Sequence, residues 1–535
     1  MLREQDKKQH NITKLIEQFN SMKISLCFKG IFIGVISGII VILYRLILEY
    51  AEELRHFASD AISKSPALII VWFIVLIILA IIVSLLLKKD PFISGSGIPQ
   101  VEASLSNRIR QNWLSVLLRK FIGGVLCLIA GLSVGREGPS IQLGAVAAQG
   151  TSEIFKRSKT EEKYLVTAGA CAGLAAAFNA PLAGVMFALE EVHKHFSPLV
   201  LIAAMSSSIA ADFISKHVFG LEPVFQFGAV TPVPLNSYGY LILLGIIVGL
   251  FGVLYNKTVT FSFSMYEKLT FLKVHQRPII PFLLSGILLV TFPAVLGGGH
   301  HLVDDLTAGN FSLYFIFFLL ILKFIFSMIS FASGVPGGIF FPLLVIGALT
   351  GGLFGETVIT FFGVDPSLFT SFIILAMAGY FTAIVRAPIT GAILITEMTG
   401  SFSNLLPLSV VALIAYTVAE LFASEPVYEI LLHRLLKTQP KRSDSPLESD
   451  ESHLHEKVII EVPIFSDSEM DGKLVRDLSL PENSLLIGVR RGKEELIPRG
   501  NTRVLAGDFL VVLFNANVEE TVHDQLVGCS TLIKI

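Results

Sequence analysis

The chain has 535 residues, 53% hydrophobic and only 16% charged, a composition outside the range of soluble proteins. A formal net charge of −2 gives no reason to invoke nucleic acid. The four cysteines, Cys27, Cys127, Cys171 and Cys529, are scattered, so neither a disulfide framework nor a zinc site is indicated and no metal or other cofactor is expected.

Residues 1–23 are polar and lack the charged-then-apolar layout of a cleavable signal peptide, which places the N-terminus in the cytoplasm. Residues 67–87 form an apolar run without a charge, and about 20 such residues cross the hydrocarbon core as a helix. Further apolar blocks lie at 31–43, 121–134, 199–214, 241–254, 281–296, 313–329, 343–362, 372–381 and 405–422. Several are too short to span alone and are interrupted by Gly or Pro, the pattern of helices that stop inside a membrane and turn their ends toward a substrate. Lys7, Lys8, Lys14, Lys23, Lys437, Lys441 and Arg442 flank these blocks and predict that both ends of the membrane part face the cytoplasm.

Broken helices suit an anion, because the unsatisfied N–H groups and dipole of a helix N-terminus attract negative charge without a permanent cation. In chain order, Gly95-Ser-Gly-Ile-Pro99 sets the Ser96 hydroxyl between Gly95 and Gly97 ahead of Pro99; the same pattern also suits a plain N-cap serine. Next, Gly135-Arg-Glu-Gly-Pro139 carries the only charges between Phe121 and Ser152. Glu137 there can compete with an anion and leave when protonated. Arg136 is a poor partner for it, since sequence neighbours do not face each other on a helix. Glu190 and Glu191 end an apolar segment, and an acid at membrane depth is a candidate for proton transfer. Gly337-Gly-Ile-Phe-Phe-Pro342 bares backbone amides at Ile339 and Phe340, although its aromatics also suit simple packing. Tyr428 closes the last apolar block, with a hydroxyl that could enter the pathway or anchor the membrane interface.

The two halves repeat. Asn179-Ala-Pro-Leu-Ala-Gly-Val-Met-Phe-Ala-Leu-Glu190 matches Arg386-Ala-Pro-Ile-Thr-Gly-Ala-Ile-Leu-Ile-Thr-Glu397 at Ala, Pro, Gly and Glu, and the Gly/Pro clusters upstream correspond, with Gly144 and Gly347 at equal distances beyond their prolines. Paired broken-helix motifs point to a binding site between the halves. Glu190 has the counterpart Glu397 and so reads as scaffold, leaving Glu191 as the proton acceptor.

After Tyr428 the composition changes. The charged, Ser- and Pro-containing stretch 438–456 reads as a linker. Beyond it, strands are expected at 458–464, 484–489 and 509–514, enough for one small α+β domain over 457–535.

The ordered motifs around Ser96, Glu137, Gly338–Pro342 and Tyr428 resemble the signature of the CLC chloride channels and transporters. The likeness covers residues 29–437, after a cytoplasmic segment 1–28. It implies an all-α polytopic membrane protein built as an inverted repeat with broken helices, a homodimer in the lipid bilayer with one pathway per subunit. It further implies Ser96, Tyr428 and the amides of Ile339 and Phe340 as chloride ligands, Glu137 as the gating glutamate and Glu191 as the internal proton acceptor. Gly95, Gly97, Pro99, Lys120, Gly135, Arg136, Gly138, Pro139, Gly338 and Pro342 support them, Lys120 falling on a buried basic position. Nitrate-preferring relatives tend to carry Pro in place of Ser96, so the resemblance favours chloride. Residues 456–535 resemble an RCK-C (TrkA-C) domain in Gly472-Lys-Leu-Val-Arg-Asp-Leu478, Ile487-Gly-Val-Arg-Arg491 and Gly500-Asn-Thr-Arg-Val-Leu-Ala-Gly-Asp508. That implies a cytoplasmic regulatory module with a small-ligand effector such as a cyclic dinucleotide.

The expected function is exchange of chloride for protons; the alternative is a passive voltage-dependent chloride channel with the same anion site. A potassium transporter would need a Thr-Val-Gly-Tyr-Gly filter, which is missing from the sequence. An enzyme would need a nucleophile or metal cluster. Its one candidate, His300-His301 with Asp304 and Asp305, reads as a solvated loop. A bacterial inner membrane is the expected location.

Overall fold

The structure, a computed structural model, describes residues 2–194, 197–228, 230–309, 311–438, 457–465, 468–481, 484–491, 494–515, 525–526 and 529–530. The chain forms two compact units, Met1–Thr438 and Gln439–Ile535. All of the expected linker except Thr438 lies outside the described residues, as do Lys441 and Arg442.

In the first unit, nine helical segments among the described residues are long and apolar enough to cross a membrane. The run at 67–87 becomes the Leu68–Lys89 helix, which buries Leu76, Ala80, Val83 and Leu87 and exposes Ile70, Ile74, Ile78 and Ile81. A long helix with an outward aliphatic face is at home in lipid, where its backbone is satisfied internally and Lys88 and Lys89 reach the interface. The unit is a polytopic membrane protein.

Other helices are too short to span. Ile98–Leu105, Pro181–Phe187 and Pro388–Thr399 each begin with a proline in the first turn, where the missing N–H costs nothing. The first of them starts inside the unit, where Ile98, Pro99 and Gln100 are buried. Two long helices there, Glu137–Ile154 and Lys159–Phe178, touch backbone to backbone: a Cβ on Gly144 would overlap the Gly169 carbonyl oxygen. Phe340–Phe362 packs on Phe369–Val385 in the second half, where a Cβ on Gly351 would lie 2.6 Å from the Phe372 carbonyl oxygen.

Landmarks of the first half return in the second. Gly97 (φ 95°) caps Ile98–Leu105 as Gly299 (φ 100°) caps His300–Thr307, left-handed conformations that suit glycine. Asn179 and Arg386 end equivalent helices with φ 53° and 74°. Fully buried Lys120 donates to the carbonyls of Ile93 (2.9 Å) and Gly95 (2.6 Å); fully buried Lys323 donates to those of Val295 (2.9 Å) and Gly297 (2.8 Å). Gly135 and Gly338, equivalent in the repeat, exchange N–H···O bonds of 2.7 and 2.9 Å as an antiparallel pair. A segment that pairs antiparallel with its own counterpart lies on a two-fold relation between halves, the geometry of an inverted repeat.

One expectation is corrected. The polar stretch after Gly299, expected as a solvated loop, is the helix His300–Thr307. Leu302, Val303 and Leu306 form its buried stripe, and His300 packs against Phe225 and Phe341.

The second unit is a four-stranded antiparallel sheet in the order β1-β4-β2-β3, with β1 Lys457–Pro463, β2 Ser484–Arg491, β3 Glu494–Leu496 and β4 Asp508–Asn515. The three expected strands are present. The short β3, paired to the end of β2 as a hairpin, escaped the hydrophobic pattern because it is too brief to carry one. Leu510, Val512 and Phe514 alternate into a core with Val462, Leu486 and Val489. Asp508 accepts two hydrogen bonds from Arg491 (2.8 and 2.7 Å) and one from the Leu505 amide (2.9 Å), fixing the start of β4.

Candidate functional site

The loops before three helices meet in the middle of the membrane unit. The Gly95 amide donates to the Val335 carbonyl (3.0 Å), the Gly337 amide to the Gly95 carbonyl (3.1 Å), and Gly135 and Gly338 pair as above. Gln142 donates to the Phe92 carbonyl (3.0 Å) and Gln100 to that of Ser94 (2.8 Å), so side chains complete the lacing. With Lys120 on the Gly95 carbonyl, the loop carrying Ser96 is held at both ends. Ser96 is buried, and its hydroxyl accepts from the Ile98 amide at 3.3 Å, the local capping bond foreseen as the alternative reading; the hydroxyl hydrogen stays available. Its carbonyl lies so close to Gly138 that a Cβ there would come within 2.7 Å, which is why the motif needs glycine.

Glu137 is the first residue of its helix, followed by Pro139, and is fully buried. The donors that face its carboxylate are the backbone amides of Glu137, Phe341 and Arg136, none of them in full hydrogen-bond geometry, and the Arg136 side chain reaches only 4.0 Å from Oε1, the outer limit of an ion pair. The side chain folds back over Gly135, where a Cβ would overlap Oε2 and lie 2.9 Å from the Phe341 amide nitrogen. The acid thus sits between two helix N-termini, its own and that of Phe340–Phe362. A carboxylate is stabilised there by the same partial charges that would hold an anion. A cavity beside it is lined by Leu48, Glu52, Arg136, Glu137, His300 and Phe341.

Ile339 and Phe340 stand at the N-cap and first position of the second helix, so their amides are among those without an intrahelical partner. Gly338 abuts Gly138, 3.2 Å from its nitrogen to a Cβ placed on Gly338, which sets this helix end against that of Glu137. The Phe340 ring packs on Phe178, Phe187 and Phe381. Phe187 in turn meets the Tyr428 ring edge-on at 6.2 Å. Tyr428, near the start of the Val427–Thr438 helix, is fully buried with its hydroxyl unpaired, and lies within electrostatic reach of the carboxylates of Glu191 and Glu137. A buried hydroxyl without a partner costs about 1–3 kcal/mol, which makes it a ready donor for a polar guest.

Glu190 and Glu191 lie in a π-helical turn, Ala188–Val192, that continues the Pro181–Phe187 helix. Glu190 accepts from the Ile389 amide (3.3 Å), the Thr390 amide (2.8 Å) and the Thr390 hydroxyl (2.7 Å). Glu397 accepts from the amides of Leu182 (3.2 Å) and Ala183 (2.8 Å). Each half caps the other's helix, which gives the pair the structural task its repetition suggested. Glu191 has no such duty: it is buried, and Oε1 lacks a partner.

The arrangement therefore brings Ser96, Glu137, Ile339, Phe340 and Tyr428 to one interior region, with Glu191 facing Tyr428. Sequence reasoning missed the Phe341 amide, although it lies inside the Gly337–Pro342 motif, because only the fold shows which amides face the acid. It also missed Glu52 and Leu48, which come from a helix with no motif, and it assigned His300, which lines the cavity, to a solvated loop. Among the described residues no group of His, Cys, Asp and Glu could hold a metal ion.

Comparison with known proteins bears on the family and the fold. Residues 78–420 match the family model described as voltage gated chloride channel, and 459–527 match the TrkA-C domain. A relative from Vibrio vulnificus, named H(+)/Cl(-) exchange transporter ClcA, is 33% identical over 82% of this chain and 96% of its own. The namesake from Salmonella paratyphi A is 31% identical, covering 81% and 93%. The structure of a slow cyanobacterial Cl-/H+ antiporter superposes with TM-score 0.73 at 29% identity, covering 77% of this chain and 98% of that one. The chain belongs to the voltage-gated chloride channel family and carries a C-terminal TrkA-C domain.

Proposed function

We propose that this chain is a secondary active transporter, not an enzyme, that exchanges chloride for protons. The observation that carries the reading is the Glu137 carboxylate, fully buried between two helix N-termini with the Arg136 side chain no closer than 4.0 Å, where an anion would be held. The relatives named as H(+)/Cl(-) exchangers, matched over 96% and 93% of their own length, support the substrates.

In this mechanism the ionised Glu137 side chain occupies the anion site. Chloride displaces it, held by the Ser96 and Tyr428 hydroxyls and the amides of Ile339 and Phe340. A proton arriving from Glu191 neutralises Glu137, which then swings toward the cavity bounded by Glu52 and His300 and releases the proton there. In this reading Tyr428, within electrostatic reach of both acids, is the residue shared by the two paths. Lys120 and the glycines of the three motifs keep the loops in register.

The family likeness also supports a homodimer, with a pathway in each subunit. The bacterial relatives support an inner-membrane location with both termini cytoplasmic. The TrkA-C domain supports a regulatory role with a small-ligand effector, for which a cyclic dinucleotide is the candidate.

The test is proton movement in liposomes driven by a chloride gradient, with voltage clamped, for wild type and Glu191→Gln. Uphill proton flux lost in the variant while chloride flux persists is the expected result. Chloride flux without proton flux in wild type would leave a channel.

A further inference from the structure

Lys194 follows the π-helical turn in a left-handed conformation (φ 54°), unusual for a lysine, and its ammonium bridges Glu102 (2.8 Å) and Glu429 (3.2 Å). Glu102 belongs to the helix after Ser96, and Glu429 follows Tyr428. One cation thus ties the two elements that carry the candidate hydroxyl ligands. Glu191 faces Lys194, Glu102, Glu429 and Glu190; Glu102 also faces Arg108. Glu190 is occupied by its caps. His193, beside Lys194, approaches the Thr167 hydroxyl at 3.5 Å.

The exposure is graded. Side-chain exposure is 42% for Glu429, 37% for Lys194 and 12% for Glu102, while Glu191 is buried. Glu102 Oε2 and Glu191 Oε1 are both buried without a partner. Three carboxylates beside one ammonium leave an excess of negative charge that runs from the exposed Glu429 to the buried Glu191, and like charges held close favour the uptake of a proton.

We propose that Lys194 is a positioning residue for proton uptake, gathering Glu102 and Glu429 beside Glu191 into a shared proton store that opens to water at Glu429. Hydronium gives a proton to the Glu429 carboxylate, leaving water. The proton passes to Glu191, restoring the Glu429 anion, and Lys194 stays an ammonium throughout. Its charge sets the proton concentration at which the store fills. This inference rests on the exchange reading above and assigns how its internal acid is loaded.

The experiment compares full-length wild type, Lys194→Met, Lys194→Arg and Glu429→Gln in liposomes, recording proton and chloride flux across a pH series. Losing the ammonium leaves the acids to hold protons more tightly. In Lys194→Met the half-maximal proton concentration for proton flux is expected to fall about tenfold, a shift to higher pH. Lys194→Arg keeps the wild-type profile, and Glu429→Gln slows proton flux more than chloride flux. A profile in Lys194→Met that superimposes on wild type, with both fluxes reduced by one common factor or unchanged, overturns the proposal and leaves Lys194 a structural tie. Wild type that carries chloride but no protons overturns the exchange reading and this inference with it, an outcome distinct from the first.

Discussion

Glu137 in the first half and Phe340 in the second occupy equivalent points, each two residues after a glycine that pairs with the other and two before a proline. Both open a helix at the site, yet one is a carboxylate and the other an aromatic that packs on Phe178, Phe187 and Phe381. The same contrast holds at the shorter helices: Ser96 precedes Gly97, whereas Gly298 precedes Gly299. Around these positions the frame is shared, with a buried lysine on two loop carbonyls and a glutamate cap crossing to the other half. The lesson is a division of labour: backbone architecture repeats because both halves must stop helices inside the membrane, while at these equivalent points the hydroxyl and the carboxylate belong to the first half and the second half offers backbone amides.

The contrast can be broken most sharply at Glu137. Glu137→Gln is expected to abolish proton flux while chloride still moves, a loss limited only by detection in paired flux recordings. Phe340→Leu should keep the two fluxes coupled. Equal uncoupling in both variants would erase the distinction.

The shared frame makes its own prediction. Glu190→Ala and Glu397→Ala each remove a charged acceptor from part-buried or exposed helix-end amides, so each should destabilise the protein by about 1–3 kcal/mol, read as lowered midpoints of thermal unfolding in detergent. Glu190→Ala should cost somewhat more, since it also frees the Thr390 hydroxyl. A large effect in one and none in the other would contradict reciprocal capping.

Lysine variants sharpen the comparison further. Lys120→Met and Lys323→Met both release carbonyls and should destabilise similarly, again by about 1–3 kcal/mol. Only Lys120→Met should also weaken chloride binding in calorimetry, because its loop carries Ser96 and the equivalent loop carries Gly298.

The smallest effect is expected in the second unit. Burial alone would raise the Asp508 carboxyl, but hydrogen bonds from Arg491 and the Leu505 amide, with the Arg491 charge, hold it below the usual range. Stability from this depressed acid is present above about pH 4, its unfolded value, and is lost as pH falls through the folded one. In hydrogen exchange of the full chain, Asp508→Asn should reduce protection of β4 at neutral pH. The difference from wild type should vanish in acid.

Much of this was legible in the sequence where a pattern had a physical cause. Apolar length gave the spanning helix Leu68–Lys89, and Gly/Pro punctuation gave the helix starts at Gly97, Glu137 and Phe340. Glu190 and Glu397 were recognisable as a pair, but that each caps the other's half needed the fold, since their partners lie about two hundred positions away. The lysine pair Lys120 and Lys323 went unnoticed as a repeat because a lysine inside an apolar helix has no motif, only partners. The helix at His300–Thr307 was hidden by its polar residues, whose buried stripe is only Leu302, Val303 and Leu306. Lys194 gave no signal either; its bridge joins residues from three distant segments.

The central claim is that the Glu137 carboxylate and chloride compete for one place between helix ends. Chloride titration calorimetry on purified wild type and Glu137→Ala tests it directly. With the carboxylate removed, chloride should bind more tightly or with greater stoichiometry, and lowering the pH should strengthen binding to wild type more than to the variant. Identical isotherms for the two proteins at every pH would contradict it.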